Sequence, residues 1–329
     1  MRVTIDTDIL DSIGNAIRHE NGETSKYHPQ NMANKILTLP KPVYDKFDTN
    51  VSSTINGWLA NYYVKDGNTF DTSTILGSSL NSLCMGWSMK YIPKIITNNT
   101  KTDLTNLYRN VTKVTTIDVT GIDFSVVTTI GGIFRGCTSL QTIDFTGCNI
   151  ANIDDFSGAF REDTSLTTIT GGNDVNATQL SYMCYGCTNL TTFNLNLKGT
   201  PTAINNTFGG CTNLENIDLH NLDFSSITGA DVSNNVSTFF SNSNNLKNLV
   251  FPKNVGVGYS ASLTANVSTA SILLNNATQL THDSLMSVIN SVADLTGKNQ
   301  QTINLGATNL AKLTNDEIAI ATAKNWHVI

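Results

Sequence analysis

The chain has 329 residues, a net charge of −6 and only 14% charged residues, and Thr, Asn and Ser take the place of charged side chains. The apolar fraction of 40% is enough for a core and excludes a disordered chain, while the length allows two or three domains or one long repeat body. The acidic balance disfavours nucleic acid as a partner, and the lack of any apolar window of about 18 residues predicts no membrane insertion.

Residues 1–42 predict a small helical hairpin. Ile9, Ile13 and Ile17 recur at helical spacing before the stop signal Asn21-Gly22, and Pro29 opens a second short helix. A body of about 40 residues is too small to be very stable alone, so we expect it to dock on another protein. Residues 43–82 predict a mixed junction of short strands that leads into the first repeat.

Residues 83–277 contain seven stretches that repeat on one phase. Their central residues are Met89, Val114, Leu140, Leu166, Leu190, Leu214 and Leu246, at spacings of 25, 26, 26, 24, 24 and 32. From Leu140 on, an aromatic residue or Cys lies six positions before the leucine, and apolar residues follow it at alternating positions. A repeat near 25 residues indicates a solenoid in which stacked units bury one another's apolar faces. The alternation predicts short strands stacked into a parallel ladder about 4.8 Å apart.

Residues 278–329 break the repeat and predict an α/β cap. The segment 281–295 has the spacing of an amphipathic helix, 301–305 is a strand, 314–317 is a capping box that opens a second helix, and 326–329 is a final strand. An open solenoid end needs a cover to stay soluble. The expected fold is therefore an α/β repeat protein with a parallel ladder between an N-terminal hairpin and a C-terminal cap.

The pair Cys184-x-x-Cys187 is the clearest candidate for a metal or redox site. Cys187 shares its repeat position with Cys137 and Cys211, however, and Cys184 fills a position that is Phe in other units. We interpret both as buried core residues with free thiols. The five histidines are scattered, and no nucleotide-binding or nucleophile motif occurs. The sequence therefore predicts no enzyme, no cofactor and no metal site.

The outward positions of the ladder, two and four residues after each centre, form what we call the polar strip. It consists of Thr116, Asp118, Thr142, Asp144, Thr168, Thr170, Thr192, Asn194, Asn216 and Asp218. These groups suit hydrogen bonding to sugar hydroxyls or to a polar protein surface. The alternative is that Thr is simply a good strand residue and that Asn and Asp keep this face soluble. Candidate aromatic anchors lie nearer the N-terminus at Trp58, Tyr62, Tyr63, Trp87 and Tyr91.

Two repeat units resemble a known family. Residues 134–145 (FRGCTSLQTIDF) and 208–219 (FGGCTNLENIDL) are similar to BspA-like leucine-rich repeats, and the resemblance covers roughly residues 105–251. It implies a leucine-rich-repeat solenoid. Departures at Asp163, Gly171 and Cys184 indicate decayed units or insertions.

The two ends resemble a different family. Residues 8–36 are similar to the N-terminal segment of many tail proteins from phages of Gram-positive bacteria, and residues 280–326 look like the end of such proteins. The resemblance implies a virion tail, baseplate or fibre protein made in the host cytoplasm, and the absence of an apolar signal sequence in residues 1–10 agrees with this.

The implied partners are other tail proteins, bound through residues 1–42, and a host cell-surface polysaccharide or protein, bound non-covalently by the repeats. The usual assembly of fibres suggests a homotrimer. Two alternatives stay open. One is a structural baseplate protein that contacts only other tail proteins, and the other is a bacterial surface adhesin, which would require a secretion signal or wall anchor.

Overall fold

The structure is a computed structural model that describes residues 69–72, 78–86, 92, 94–172, 174–232 and 235–329. All of them belong to the compact unit Thr49–Ile329. The predicted hairpin at 1–42, most of the junction at 43–82 and the repeat centre Met89 lie outside the described residues. The same holds for the candidate anchors Trp58, Tyr62, Tyr63, Trp87 and Tyr91.

Short parallel strands recur from residue 69 to residue 250. They are β1 (Thr69–Asp71), β2 (Lys94–Ile96), β3 (Thr142–Phe145), β4 (Thr168–Gly171), β5 (Val175–Asn176), β6 (Thr192–Phe193), β7 (Leu197–Lys198), β8 (Asn216–Asp218) and β9 (Asn248–Val250). The parallel pairs are β1 with β2, β3 with β4, β4 with β6, β5 with β7, and β8 with β9. In β3 the alternation buries Ile143 and Phe145 and leaves Thr142 and Asp144 exposed. The prediction of parallel strands built from repeats is confirmed.

Six-residue turns form a second stack in the part of each repeat that precedes the leucine; we call it the turn ladder. The turns span residues 81–86, 105–110, 131–136, 157–162, 181–186 and 205–210. The second and sixth residues of every turn have positive φ. Backbone bonds join successive turns, as from Phe134 N to Ala159 O (2.9 Å). Because N–H groups of one turn find carbonyls in the next, the buried backbone is satisfied without a helix.

An aromatic column fills the interior beside the turn ladder. Tyr108 stacks on Phe134 and Phe134 on Phe160, each at a ring-centroid distance of 5.7 Å. Cys184 continues the series as a fully buried residue, and Phe208 follows it. In each of these repeats the residue six positions before the leucine thus places a large or apolar side chain in a common core.

The cysteines belong to this core. All six are buried and unpaired. Cys187 Sγ donates to Phe160 O (2.9 Å) and Cys211 Sγ donates to Cys184 O (3.2 Å), so each thiol bonds to a carbonyl of the preceding unit. Burial raises the pKa of the Cys84 thiol to about 12. The interpretation of Cys184 and Cys187 as core residues with free thiols is confirmed.

Two of the departures from the repeat pattern have a structural explanation. Gly171 stays in register opposite Phe145, and its φ of 82° would set a Cβ atom 2.1 Å from Thr146 N. Asp163 is fully buried. Its Oδ1 accepts from Cys137 N (2.7 Å), whereas its Oδ2 has no hydrogen-bond partner among the described residues. Burial therefore raises the pKa of the Asp163 carboxyl well above its usual range.

The C-terminal segment combines three strands and three helices. They are β10 (Ile272–Leu273), α1 (His282–Ser291), β11 (Gln301–Asn304), α2 (Gly306–Leu310), α3 (Asn315–Thr322) and β12 (Trp326–Val328). The three strands form one parallel sheet, and Thr314 and Glu317 make the predicted capping box of α3. The helix predicted over 281–295 was wrong at its end. Helix α1 stops at Ser291, since Val292 is extended and pairs in parallel with Val255.

Candidate functional site

The polar strip lies on one face of the strands. None of its ten residues is buried. Thr142, Thr168 and Thr192 are successive Cα partners across β3, β4 and β6, and Asn216 is paired with Asn248 across β8 and β9. The strands β3, β4 and β6 form one sheet, and β8 and β9 form another. We call the strip residues from Thr116 to Thr192, which lie on or beside the first sheet, the N-terminal part, and Asn194, Asn216 and Asp218 the C-terminal part.

The N-terminal part of the strip is largely engaged with its own neighbours. Asp118 pairs with Lys94 at 3.2 Å and accepts from the hydroxyl of Thr120 at 2.7 Å. Hydrogen bonds from the Thr146 hydroxyl and backbone N–H hold the pKa of Asp144 below its usual range. These carboxylates are ionised at neutral pH, and their nearby donors already occupy part of their bonding capacity.

A groove of about 610 Å³ opens at the C-terminal part of the strip, and we call it the strip groove. Strands β8 and β9 line it together with the chain that follows β6 and the first half of α1. Its polar lining residues are Asn194, Asn196, Asn216, Asp218, His220, Asn248, Thr281, Asp283, Ser284 and Ser287. Only three of the ten strip residues, Asn194, Asn216 and Asp218, are brought into this groove.

The groove exists because a helix, and not another strand, follows β9. Ser284 Oγ accepts from Leu249 N (2.8 Å) and donates to Lys247 O (2.9 Å). Ser287 Oγ accepts from Phe251 N (2.8 Å). Two serine hydroxyls thus complete the backbone bonds of the β9 edge, which would otherwise be open to pairing with another chain. A helix is wider than a strand and rises beside the sheet as the wall of the groove.

The chemistry of the strip groove is that of hydrogen bonding. Asp218 Oδ1 accepts from His220 N (3.0 Å) and lies 2.8 Å from His220 Nδ1. Asn248 Nδ2 donates to Asn216 Oδ1 (2.6 Å), so Asn216 Nδ2 and Asn248 Oδ1 are the side-chain amide atoms outside this hydrogen bond. In the part of the chain that the structure describes, no group of three or more His, Cys, Asp or Glu residues could hold a metal ion.

Sequence reasoning missed the wall of the groove. Thr281, Asp283, Ser284 and Ser287 lie about 35 residues after β9 and outside the repeat phase, so the repeat pattern does not assign them to the site. One signal was present in the sequence. Ser284 and Ser287 are three residues apart behind the N-cap Thr281, and this spacing puts both hydroxyls on one face of the helix.

Parallel strands that follow a buried leucine once per unit are typical of leucine-rich repeats. The family described as BspA type leucine rich repeat region (6 copies) matches residues 105–228 and 132–257. These residues therefore carry leucine-rich repeats of the BspA type, as the resemblance of the two repeat units predicted. No curated protein and no solved structure gives a significant match to the chain. Among the described residues, no helix is both long enough and apolar enough to cross a membrane.

Proposed function

We propose that this chain is a non-catalytic binding protein that attaches to a cell-surface polysaccharide through the strip groove. One observation carries the proposal. Amides, hydroxyls and the two carboxylates of Asp218 and Asp283 line a concavity of about 610 Å³ at the end of a polar strand face. That volume lies within the range of roughly 300–1,000 Å³ typical of ligand sites. The match of residues 105–228 and 132–257 to BspA-type repeats also favours a repeat protein that binds at a surface.

The groove suits a sugar because both of its walls supply donors and acceptors. Asn216 and Asn248 each carry an amide on the strand side, and Thr281 and Asp283 face the groove from the helix side. Sugar hydroxyls both donate and accept, so neutral amides and hydroxyls can bond to them without burying a net charge. Val250, which is 40% exposed, adds an apolar surface for the C–H face of a ring.

The setting we propose is a phage tail, baseplate or fibre, with residues 1–42 bound to other tail proteins and the repeats directed toward the host. Several copies per virion, as in a homotrimer, would convert weak contacts into firm attachment because the second contact is intramolecular. The alternatives are a structural baseplate protein and a bacterial surface adhesin. The first would bind another tail protein and no polysaccharide, and the second would use the same groove.

The test compares two triple variants of the full chain. N216A/D218A/N248A removes three polar side chains from the strand side of the groove. T116A/D118A/T142A removes three side chains of similar type from the other end of the strip. The probes are cell-wall polysaccharides purified from a panel of Gram-positive bacteria, with affinity measured by calorimetry. We expect the groove variant to lose about tenfold or more in affinity and the control variant about twofold or less.

Equal losses of affinity in the two variants would show that the groove is not the binding site. Failure of the unmodified chain to bind any polysaccharide or intact cells, together with tight binding to another tail protein, would favour the structural alternative.

A further inference from the structure

A row of three arginines crosses the turn ladder, away from the polar strip. Arg109, Arg135 and Arg161 occupy the fifth position of three successive six-residue turns, and we call them the arginine row. Asn110 N donates to Arg135 O (2.7 Å) and Gly136 N donates to Arg161 O (2.8 Å). Backbone bonds of this kind hold neighbouring segments about 5 Å apart, so the three guanidinium groups start from adjacent positions in one line.

The positive charge of this row is only partly compensated. Glu162 lies 3.0 Å from Arg161 Nη2 and 3.7 Å from Arg135 Nε. Arg109 forms no ion pair with any residue that the structure describes, and its Nε is buried without a hydrogen-bond partner there. Three cations and one anion leave an excess of positive charge on the row, although the chain as a whole carries −6.

Two tyrosines continue the row. Arg161 Cζ lies 4.8 Å from the ring centre of Tyr182 and 5.5 Å from that of Tyr185. Tyr185 occupies the fifth position of the next turn, and both rings are half-exposed. Tyr182 has a φ of 59°, a conformation that is unfavourable for a bulky side chain and persists where the surroundings impose it. The row thus ends on an aromatic surface beside a cation.

The fold itself does not require arginine at these positions. Met85 and Gly209 occupy the same fifth position in turns whose backbone is bonded in the same way. Adjacent like charges repel one another, and burial together with Arg161 and Arg109 lowers the pKa of Arg135. A purely structural role would be served by an uncharged residue, so the three arginines need another explanation.

We propose that the arginine row binds an acidic polysaccharide, with anionic groups of the polymer on Arg109 and Arg135 and a sugar ring against Tyr182 and Tyr185. Guanidinium groups bind carboxylate and phosphate oxygens in paired hydrogen bonds. The aromatic faces supply flat apolar surface for the ring. This inference rests on the proposed function only in the class of ligand, because the strip groove is a separate surface.

A polysaccharide fits the row better than nucleic acid or protein. The row is one residue wide and three charges long, which is short for the series of phosphate contacts that supplies most of the affinity for nucleic acid. A protein partner is usually anchored by side chains in a central pocket, whereas this row is a line of side chains. A linear polymer that carries an anionic group in each repeating unit can place successive anions along a single row of guanidinium groups.

The test uses R109Q/R135Q in the full chain, with K113Q/K253Q as a control that removes two exposed positive charges elsewhere. Arg161 is retained because it packs on the tyrosines. The probes are polygalacturonate, which carries carboxylates, phosphomannan, which carries phosphates, and fully methyl-esterified polygalacturonate, which is neutral. Binding is measured by calorimetry at low salt, and thermal unfolding verifies that each variant is folded.

We expect the unmodified chain to bind at least one of the two acidic polymers and not the neutral ester. R109Q/R135Q should lose about tenfold or more in affinity and K113Q/K253Q about twofold or less. The comparison of polygalacturonate with phosphomannan tells which anion is preferred. Binding of neither acidic polymer by the unmodified chain, or equal affinity in R109Q/R135Q, would overturn the proposal. The variant N216A/D218A/N248A should keep its affinity for the acidic polymer, so failure of one surface is distinguishable from failure of the other.

Discussion

The repeat region and the C-terminal segment complete their backbone hydrogen bonds in different ways. Between residues 105 and 210, each turn donates to the next turn, so one unit is continued by another of the same shape. At β9 the series ends, and Ser284 and Ser287 of α1 supply side-chain oxygens in place of a further strand. Regular stacking produces a flat polar face, whereas its interruption by a helix produces a concave one. The candidate binding groove lies where the two regions meet.

The largest expected effect tests the repeat region. Phe160 is fully buried and contacts Phe134 and Phe145 at ring-centroid distances of 5.7 and 6.5 Å. Phe160→Ala should lower the free energy of unfolding by about 3–5 kcal/mol, since it leaves a cavity in the aromatic column. Urea unfolding measures the loss. The control Val232→Ala changes a residue that is 73% exposed and should shift stability by about 0.5 kcal/mol or less. Similar values for the two variants would refute the column as a core.

A second variant tests the junction between the two regions. Ser284→Ala removes the acceptor for Leu249 N and the donor to Lys247 O. Leaving a buried N–H unpaired should cost about 1–3 kcal/mol, measured by urea unfolding. Ser291→Ala is the control, because among the described residues Ser291 Oγ bonds to Val288 O alone, within its own helix. If Ser291→Ala destabilises the chain as much as Ser284→Ala, the serine contact with β9 is not what holds α1 in place.

A third variant should stabilise the repeat region. Asp163 is a buried carboxyl with an unpartnered Oδ2, whereas Ser243 in the same repeat position donates to Phe208 O. Asp163→Ser should raise the free energy of unfolding by about 1–3 kcal/mol at neutral pH. The folded-state pKa lies above the ordinary value of 3.8, so unfolding releases a proton and stability falls as pH rises above 3.8. The gain should therefore be larger at about pH 7 than at about pH 4. A gain that does not change with pH would show that Asp163 is not protonated in the fold.

The smallest expected effect concerns the C-terminal segment. His282 Nε2 lies 2.9 Å from Glu317 Oε1 and joins α1 to α3, and the hydrogen bond to Glu317 raises the pKa of His282 above 6.5. The backbone N–H of Thr314, and the contact with His282, lower the pKa of Glu317 below 4.5. The pair thus stabilises the fold mainly between pH 4.5 and pH 6.5. Its contribution to the free energy of unfolding is lost as pH rises through the His282 pKa.

His282→Gln should flatten the dependence of the melting temperature on pH between about pH 5.5 and about pH 8. His327→Gln, which changes an exposed histidine in β12, serves as the control. An unchanged pH dependence in His282→Gln would show that the His282–Glu317 pair does not contribute to the stability of the fold.

The repeats were predictable because their signals are local. Ile143 and Phe145 alternate with the polar residues Thr142 and Asp144, and period-two alternation specifies both the strand and its buried face. The aromatic column followed from one recurring position. The turn ladder was not anticipated, because three of its positive-φ positions carry Ser82, Glu162 and Tyr182, where the usual Gly or Asn signal is absent.

The candidate site was only half predictable for a different reason. Asn216 and Asp218 are repeat positions and could be assigned to the outer face from the sequence. Thr281 and Ser287 enter the groove through contacts with strands more than 30 residues away, and no repeat phase links them. The packing of the non-repeating helix α1 determines the shape of the site. The repeat period does not predict where that helix packs.

The central claim is that the strip groove binds a cell-surface polysaccharide. Its most direct test is a structure of the full chain with a bound fragment of a polysaccharide that it recognises. We expect electron density for the sugar between Asn216 and Asn248 on the strands and Thr281 and Asp283 at the start of α1. Density confined to any other surface, with the groove filled only by water, would contradict it.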